Sequence, residues 1–459
     1  SGDVSADVED AMRELTAIAA RRRELQQQMR DAEAAMAAIR ASNSWRALEA
    51  ARRMRLRARH ARMSFMGLLG RMRGMRSHRD VPLAVRQAPV GVNVAGYLAA
   101  ESGLGEAARS SVRVLQHTGI PVVLNNVPGA QRTGDTTFTE FVRENPHPFN
   151  LVHLNADNMP AFAVQQKKIY FRDKYTIGFW FWELSRFRKD WQGAFRVVDE
   201  VWVATRFARD AIQPASPVPV VRMPLPVTVA APSTRGRAHF GIPDDRFAFL
   251  FTFDVSSQTE RKNPMGVIRA FQRSGLGRGR AVLVLKFTNG HFDREAVRRL
   301  REASEGVDVL LLDGYMDRAD LSALVRACDC YVSLHRAEGF GLTMAEAMAL
   351  ERPVIATAYS GNMDFMAPDT ACLIDYRLVP LTWDYGPYLR GFEWADPDID
   401  QAAAAMRRMV ESPDWAKALG QAGPVVVERH LGMDAAVERC RRRLEVIRSG
   451  AVREAGEDA

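Results

Sequence analysis

The sequence predicts an α/β protein built from two successive sheets, and three observations carry that expectation. Short, nearly continuous apolar runs alternate with helical patterns from Val90 to Asp375, as in parallel strands buried on both faces. Glycine-flanked turns join strand to helix at Gly103–Gly105 and again at Gly339–Gly341. Between the two series, Pro214 to Gly236 is rich in Pro, Val, Ser and Ala, has no helical period, and reads as the connection between domains.

With 459 residues, 47% of them hydrophobic, the chain can bury more than one core. The expected organisation is a helical segment at 1–85, a first α/β domain at 86–225, a second at 226–425, and a C-terminal helix and tail at 426–459. A formal charge of +8 suits nucleic acid, anionic lipid or phosphorylated substrates equally, so its distribution matters more than its size. Cysteines 328, 330, 372 and 440 form no CxxC pair and read as reduced thiols of a cytosolic protein. No apolar run approaches the roughly 18–20 residues needed to span a bilayer, and no signal peptide is visible. The sequence opens at Ser1 directly in a helical pattern, which suggests a part of a longer protein.

Residues 5–40 lack Gly and Pro and favour a long helix, with Leu15, Ile18, Leu25 and Met29 as a partial coiled-coil stripe suited to helical self-association. Between Arg40 and Arg79 twelve arginines face a single acid, Glu49, among scattered Trp, Phe, Leu and Met residues. That segment fits two readings, a helix lying on an anionic membrane surface or a solvated linker. It carries no nucleic-acid-binding motif, and nucleic acid is not an expected partner.

In the first α/β half, Val90–Tyr97 reads as a strand, a helix runs from Glu101 to about His117, and another strand follows at Pro121–Leu124. Gly103, Gly105 and Ala108 satisfy a G-x-G-x-x-A fingerprint, but the following strand ends in Asn125-Asn126 where a nicotinamide site needs an acid. The glycine loop is therefore expected to face a sugar or phosphate in a cleft. Asn150–Asp157 is a strand ending in polar groups, His153 and Asp157 among them, and Tyr175–Leu184 reads as an aromatic strand with Glu183 at its carboxyl end. Such ends are where open α/β sheets bind ligands. Trp180 and Trp182 read as core, and His153 is either a satisfied core histidine or a site residue.

In the second half, strands are expected at Phe247–Phe253, Ala281–Lys286, Val307–Leu312, Tyr331–Leu334, Val354–Thr357 and Ala371–Asp375, making a doubly wound parallel sheet. The turn after the first of these carries Arg261-Lys262-Asn263-Pro264, two cations able to neutralise a diphosphate. The turn after Leu334 carries Glu338-Gly-Phe-Gly341-Leu-Thr343-Met-Ala-Glu346 and opens a helix whose free N–H groups suit a phosphate. Thr343 and Glu346 also fit a capping box. Asp396-Pro-Asp398-Ile-Asp400 could be taken for a metal motif, but it precedes a helix at Gln401–Val410 and reads as its cap. Two further amphipathic helices are expected at Asp414–Gly420 and Met433–Arg448, with residues after Ser449 disordered.

Glu338-x7-Glu346 within E-G-F-G-L-T-M-A-E-A-M resembles the paired-glutamate motif of retaining GT-B glycosyltransferases of glycosyltransferase family 4. The likeness spans roughly residues 90–440 and looks closest to bacterial transferases that build O-antigen, capsule or other surface polysaccharides. It implies two Rossmann-like domains facing a cleft, a nucleotide sugar held by the second and a lipid-linked or oligosaccharide acceptor by the first. By the same resemblance Glu338 contacts donor-sugar hydroxyls and Glu346 holds the ribose. The backbone from Gly339 and Phe340 through Gly341 and Leu342 to Thr343 binds the diphosphate with Lys262 and Arg261. His153 faces the sugar, with Gly103, Gly105, Asp157 and Glu183 on the acceptor side. Many members carry an arginine five residues before the lysine, where this chain has Ser257, and Arg336 is a candidate replacement.

The expected activity is retaining, metal-independent hexosyl or deoxyhexosyl transfer, mannose- or rhamnose-like, with no cofactor. The enzyme would be cytoplasmic and peripheral on the inner face of the bacterial inner membrane. No residue stands out as a nucleophile, so front-face attack is the working mechanism. A non-hydrolysing nucleotide-sugar epimerase and a non-catalytic, membrane-apposed assembly module are the rival readings.

Overall fold

The computed structural model describes residues 81–129, 133–277 and 279–451. The predicted N-terminal helix, its coiled-coil stripe, the whole basic segment from Arg40 to Arg79 and most of the C-terminal tail lie outside these residues.

Two six-stranded parallel sheets form the framework. The first contains β1 (Val92–Gly96), β2 (Val122–Asn126), β3 (Phe149–His153), β4 (Tyr175–Phe179), β5 (Glu200–Val203) and β6 (Val220–Arg222), in the order β2-β1-β3-β4-β5-β6. The second contains β7 (Phe247–Asp254), β8 (Ala281–Thr288), β9 (Val309–Asp313), β10 (Cys330–Ser333), β11 (Val354–Thr357) and β12 (Cys372–Ile374), in the order β12-β11-β10-β7-β8-β9. Strands β1, β3, β4, β10 and β11 are buried along their whole length, which explains their unbroken apolar runs. An antiparallel hairpin, β13 (Tyr376–Pro380) and β14 (Glu393–Pro397), follows the second sheet.

The helices that matter for the site are α1 (Gly103–Thr118), α2 (Arg206–Ile212), α3 (Pro264–Ser274), α4 (Leu342–Ala349), α5 (Ile399–Glu411), α6 (Pro413–Leu431) and α7 (Met433–Ser449). Each sheet reverses its winding once, between β1 and β3 in the first and between β7 and β10 in the second. Open α/β sheets take ligands outside the carboxyl ends of strands at such points. The first brings together Gly96 and His153, which pair across β1 and β3. The second brings together the loop after β7, carrying Lys262, and the loop after β10, carrying Glu338.

Several elements differ from the sequence reading. β4 stops at Phe179, and Glu183 lies in the following loop rather than at a strand end. The stretch from Pro214 to Gly236 is not wholly a connection, because Val220–Arg222 joins the edge of the first sheet as β6. α6 does not end at Gly420 but continues through Pro424 to Leu431. Side chains at Gly420 or Gly423 would collide with the Glu351 and Met348 carbonyls, so these glycines let α6 lie directly on the end of α4. That packing holds together a helix whose local sequence looks broken.

α7 crosses back to pack on α1 of the first half. From the same helix the Arg443 guanidinium donates to both oxygens of Glu200 on β5, from Nε at 2.9 Å and from Nη2 at 2.6 Å, with both side chains almost completely buried. The hydroxyl of Tyr175 and the indole N–H of Trp202 also donate to Glu200. A second tie joins the loop after β4 to the hairpin loop, where Arg186 and Arg188 donate to the carbonyls of Gly391 and Pro387 at 2.7 Å each.

Candidate active site

The centre of the site is a compact charge cluster on the second half. Lys262 Nζ lies 2.5 Å from Glu338 Oε1, and Arg261 Nη1 lies 3.4 Å from Glu338 Oε2. Arg261 is held by two carbonyls, donating to Ala337 O at 2.7 Å and Ser257 O at 3.2 Å, with Tyr388 beneath its guanidinium. Burial alone would raise the Glu338 carboxyl, but the Lys262 and Arg261 charges outweigh it and hold the group at about 2. Asn263 sits in the left-handed region, caps α3 by accepting from Gly266 N, and donates to Leu334 O. The loop after β7 is thereby stitched to the end of β10.

The Glu338 loop is fixed with equal care. The backbone N–H of Glu338 donates to Ser360 Oγ, and its carbonyl accepts from Gly361 N. Gly341 caps α4 with φ 93°, a conformation that favours glycine, and no side chain caps the helix. The capping box expected from Thr343 and Glu346 is therefore absent. With the helix starting at Leu342, Thr343 is already inside its first turn and too late to cap it.

Glu346 instead turns toward Arg318, whose Nη2 is 3.8 Å away, while Arg318 Nη1 reaches Glu106 on α1 at 2.5 Å. One arginine of the second half thus bridges Glu346 and the first half. Burial pushes the Glu346 carboxyl up to about 7, which Arg318 opposes and Glu106 reinforces. A raised folded value means that the native state keeps its proton above the ordinary 4.5, so stability falls as pH rises from 4.5 to 7 and is level beyond. Glu346→Gln is accordingly expected to raise the thermal midpoint relative to wild type at pH 8 and to leave it unchanged at pH 4. Equal midpoints at pH 8 would contradict the raised value.

The first half contributes two groups from loops and strand ends. Glu183 accepts a 2.9 Å hydrogen bond from Tyr388 OH, the same tyrosine that underlies Arg261, so the loop after β4 meets the charge cluster. Thr205 Oγ1 donates to Gly339 O at 3.0 Å, tying β5 to the glycine turn. His153 is buried and stacked on Phe179 with ring centroids 4.6 Å apart, and neither ring nitrogen has a hydrogen-bond partner. Burial pulls its pKa down to about 3, so the ring is neutral. It is not a hydrogen-bonded core histidine. Trp180 and Trp182 are core residues.

The remaining predicted positions are less closely gathered. Gly103 is exposed in the first turn of α1, and Ser102 caps that helix by accepting from Gly105 N. Asp157 is exposed and accepts from Asn158 Nδ2. Arg336 does not replace the missing cation, because it pairs with Asp396 at 2.8 Å and lies over Trp394. Asp398 caps α5, and Asp400 pairs with Arg273. Phe340 is buried against Phe365.

Sequence reading missed a cavity of about 380 Å³ beyond the ends of β8 and β9, lined by Lys286, Asp313 and Tyr315 with Glu101 from the first half. Lys286 is buried with its ammonium on the Phe287 and Gly314 carbonyls, and burial lowers its pKa to about 8 against the pull of Asp313. A lysine inside an otherwise apolar strand was the available signal. Tyr388 gave none, since it lies in an aperiodic hairpin loop.

Two α/β halves of this topology, with a charged site at the second switch point, define the GT-B architecture. Residues 235–425 match the family model described as glycosyl transferases group 1, and this half is a glycosyltransferase domain. The chain is 24% identical over 192 residues to a trehalose synthase of Rubrobacter xylanophilus, a match covering 40% of each chain. Among solved structures it resembles sucrose-phosphate synthase from Thermosynechococcus elongatus (TM-score 0.58, 16% identity, 78% of this chain and 99% of that one). It also resembles HepE from Anabaena in complex with UDP and glucose (TM-score 0.54, 13% identity, 78% and 99%). These structural likenesses establish the fold. Among the described residues no helix is long and apolar enough to cross a membrane.

Proposed function

We propose that the chain is a retaining, metal-independent glycosyltransferase that moves a hexosyl or deoxyhexosyl group, mannose- or rhamnose-like, from a nucleoside diphosphate sugar to a growing bacterial surface glycan such as O-antigen or capsule. The observation that carries this reading is the meeting of Glu338, Lys262 and Arg261 at the α4 N-terminus with Glu183 of the other half. A carboxylate held ionised beside two cations can accept from sugar hydroxyls while the cations and the free N–H groups of α4 take the diphosphate. Glu346 lies on the same helix and suits the ribose. The cavity beside Lys286 and Asp313 has room for the base.

In this mechanism the bond between the anomeric carbon and the diphosphate oxygen breaks first, and the departing charge is stabilised by Lys262, Arg261 and α4. The acceptor hydroxyl attacks the oxocarbenium-like carbon from the same face, and its proton passes to the leaving phosphate oxygen. Neutral His153, stacked on Phe179, borders the reacting sugar without adding a charge. The enzyme would work in the cytoplasm, peripheral to the inner membrane.

Incubation with a panel of nucleotide sugars, with and without acceptor, tests the proposal by its products. Sugar transfer only with acceptor, insensitive to EDTA, is the expected result. Conversion of the donor without acceptor would instead indicate an epimerase, and binding without any product an assembly module. Activity lost to EDTA and restored by Mn²⁺ would overturn metal independence.

A further inference from the structure

A second basic cluster adjoins the glycine turn. It begins at Thr205, which touches Gly339, and continues into Arg206, the first residue of α2. Arg222 at the end of β6 pairs with Asp364 at 2.7 Å, and the same carboxylate accepts from the Arg206 backbone. The end of α6 adds Arg429 and His430, and α7 adds Arg439, whose Nη2 donates to the His430 carbonyl at 3.2 Å. Buried Nε of Arg439 has no hydrogen-bond partner. Arg206 and Arg429 are exposed, and among the described residues no ion pair answers either. Asp364 is largely committed to Arg222.

Like charges collected this way repel one another unless an anion joins them. Burial and the Arg222, Arg429, Arg206 and Arg439 charges all hold the His430 imidazole below its ordinary value, and burial and Arg222 do the same to the Arg439 guanidinium. The arrangement is electrostatically incomplete as it stands. Its composition is informative too, since in the transferase reading the donor diphosphate already has Lys262, Arg261 and α4. Two of its segments, β6 and the start of α2, belong to the carboxyl end of the first sheet, where that half takes its ligand.

We infer that Arg206, Arg222, Arg429 and Arg439 form a second anion site, which binds a phosphate or diphosphate carried by the acceptor. The inference rests on the transferase reading and narrows its acceptor to a phosphorylated one. Guanidinium forks match phosphate oxygens in pairs, and a diphosphate would satisfy several of these arginines at once. Phosphate on a membrane lipid headgroup offers the same chemistry, and the test separates the two sources.

Calorimetric titration of the full chain with inorganic pyrophosphate should resolve two classes of site. Lys262→Ala should remove one class. Arg206→Glu with Arg429→Glu, both at exposed positions that keep the fold, should weaken the other on the order of tenfold or more, while Lys262→Ala retains it. A double Glu variant that titrates as wild type overturns the proposal. Sedimentation with phosphatidylcholine vesicles, with and without phosphatidylglycerol, is the second arm. If wild type shows one pyrophosphate class, removed by Lys262→Ala, and the double Glu variant loses only vesicle binding, the patch is a headgroup surface and the acceptor site is wrong. Two pyrophosphate classes without turnover of any nucleotide sugar would sink the transferase reading while the anion site stands.

Discussion

Replacing Glu338 with Gln is expected to abolish sugar transfer, to destabilise the empty protein, and yet to leave nucleoside diphosphate binding intact or tighter. The three effects have one cause. Among the described residues Glu338 is the one charge partner of Lys262, and it shares Arg261 with two carbonyls and a nearby tyrosine. Removing one member of a buried pair costs about 3–5 kcal/mol, mostly from the charge left behind. A diphosphate can take the carboxylate's place beside both cations, so the lost stability should return when nucleotide binds. The donor sugar loses its acceptor group, and transfer should fall by about 10³-fold or more. Thermal midpoints with and without nucleoside diphosphate, alongside product formation, check all parts. Wild-type turnover by the variant would remove Glu338 from the mechanism.

The pH dependence has a definite sign. Glu338 is held at about 2 against an ordinary 4.5, so its contribution to stability is complete above 4.5 and is lost as pH falls toward 2. Glu346 runs the other way between 4.5 and 7. The two glutamates of one motif therefore pull stability in opposite directions, because one faces two cations and the other shares a single arginine with Glu106.

Elements set by local pattern were legible in the sequence, and contacts between distant loops were not. The second sheet was readable because its strands are buried on both faces and carry little but apolar residues. β6 escaped because it is three residues long and sits among Pro217, Pro219 and Pro224, which locally signal a linker. Its strand state comes from pairing with β5, a tertiary fact. Glu338 and Lys262 were singled out because their turns resemble a family motif, and the switch point of the second sheet brings those two turns together. The partnership of Glu183 with Tyr388 spans 205 residues and two aperiodic loops, and nothing local announces it. Arg318 is similar, an ordinary helix-start arginine until the halves meet. The capping box failed for a different reason. Its residues fit the motif, but Gly341 takes the capping position, two residues before the motif's Thr343.

The second large effect is expected at Arg443, far from the chemistry. Arg443→Met should lower stability by about 3–5 kcal/mol, read from the shift of a denaturant midpoint at constant slope. Glu200 is completely buried and would then have only the neutral donors Tyr175 and Trp202 against its charge. Glu200→Gln alone should cost a similar amount by stranding the guanidinium. The double variant is expected to recover much of the loss, since neither uncompensated charge remains and the site is already enclosed by aromatic side chains. Additive losses in that cycle would mean that the pair is not coupled and that Arg443 acts through packing alone. If the coupling is found, the ion pair is what fastens α7 of the C-terminal region to the first half. The single variants should then also lose part of their transfer activity at temperatures below unfolding, because α7 is among the ties that keep Glu183 and Thr205 over the Glu338 turn.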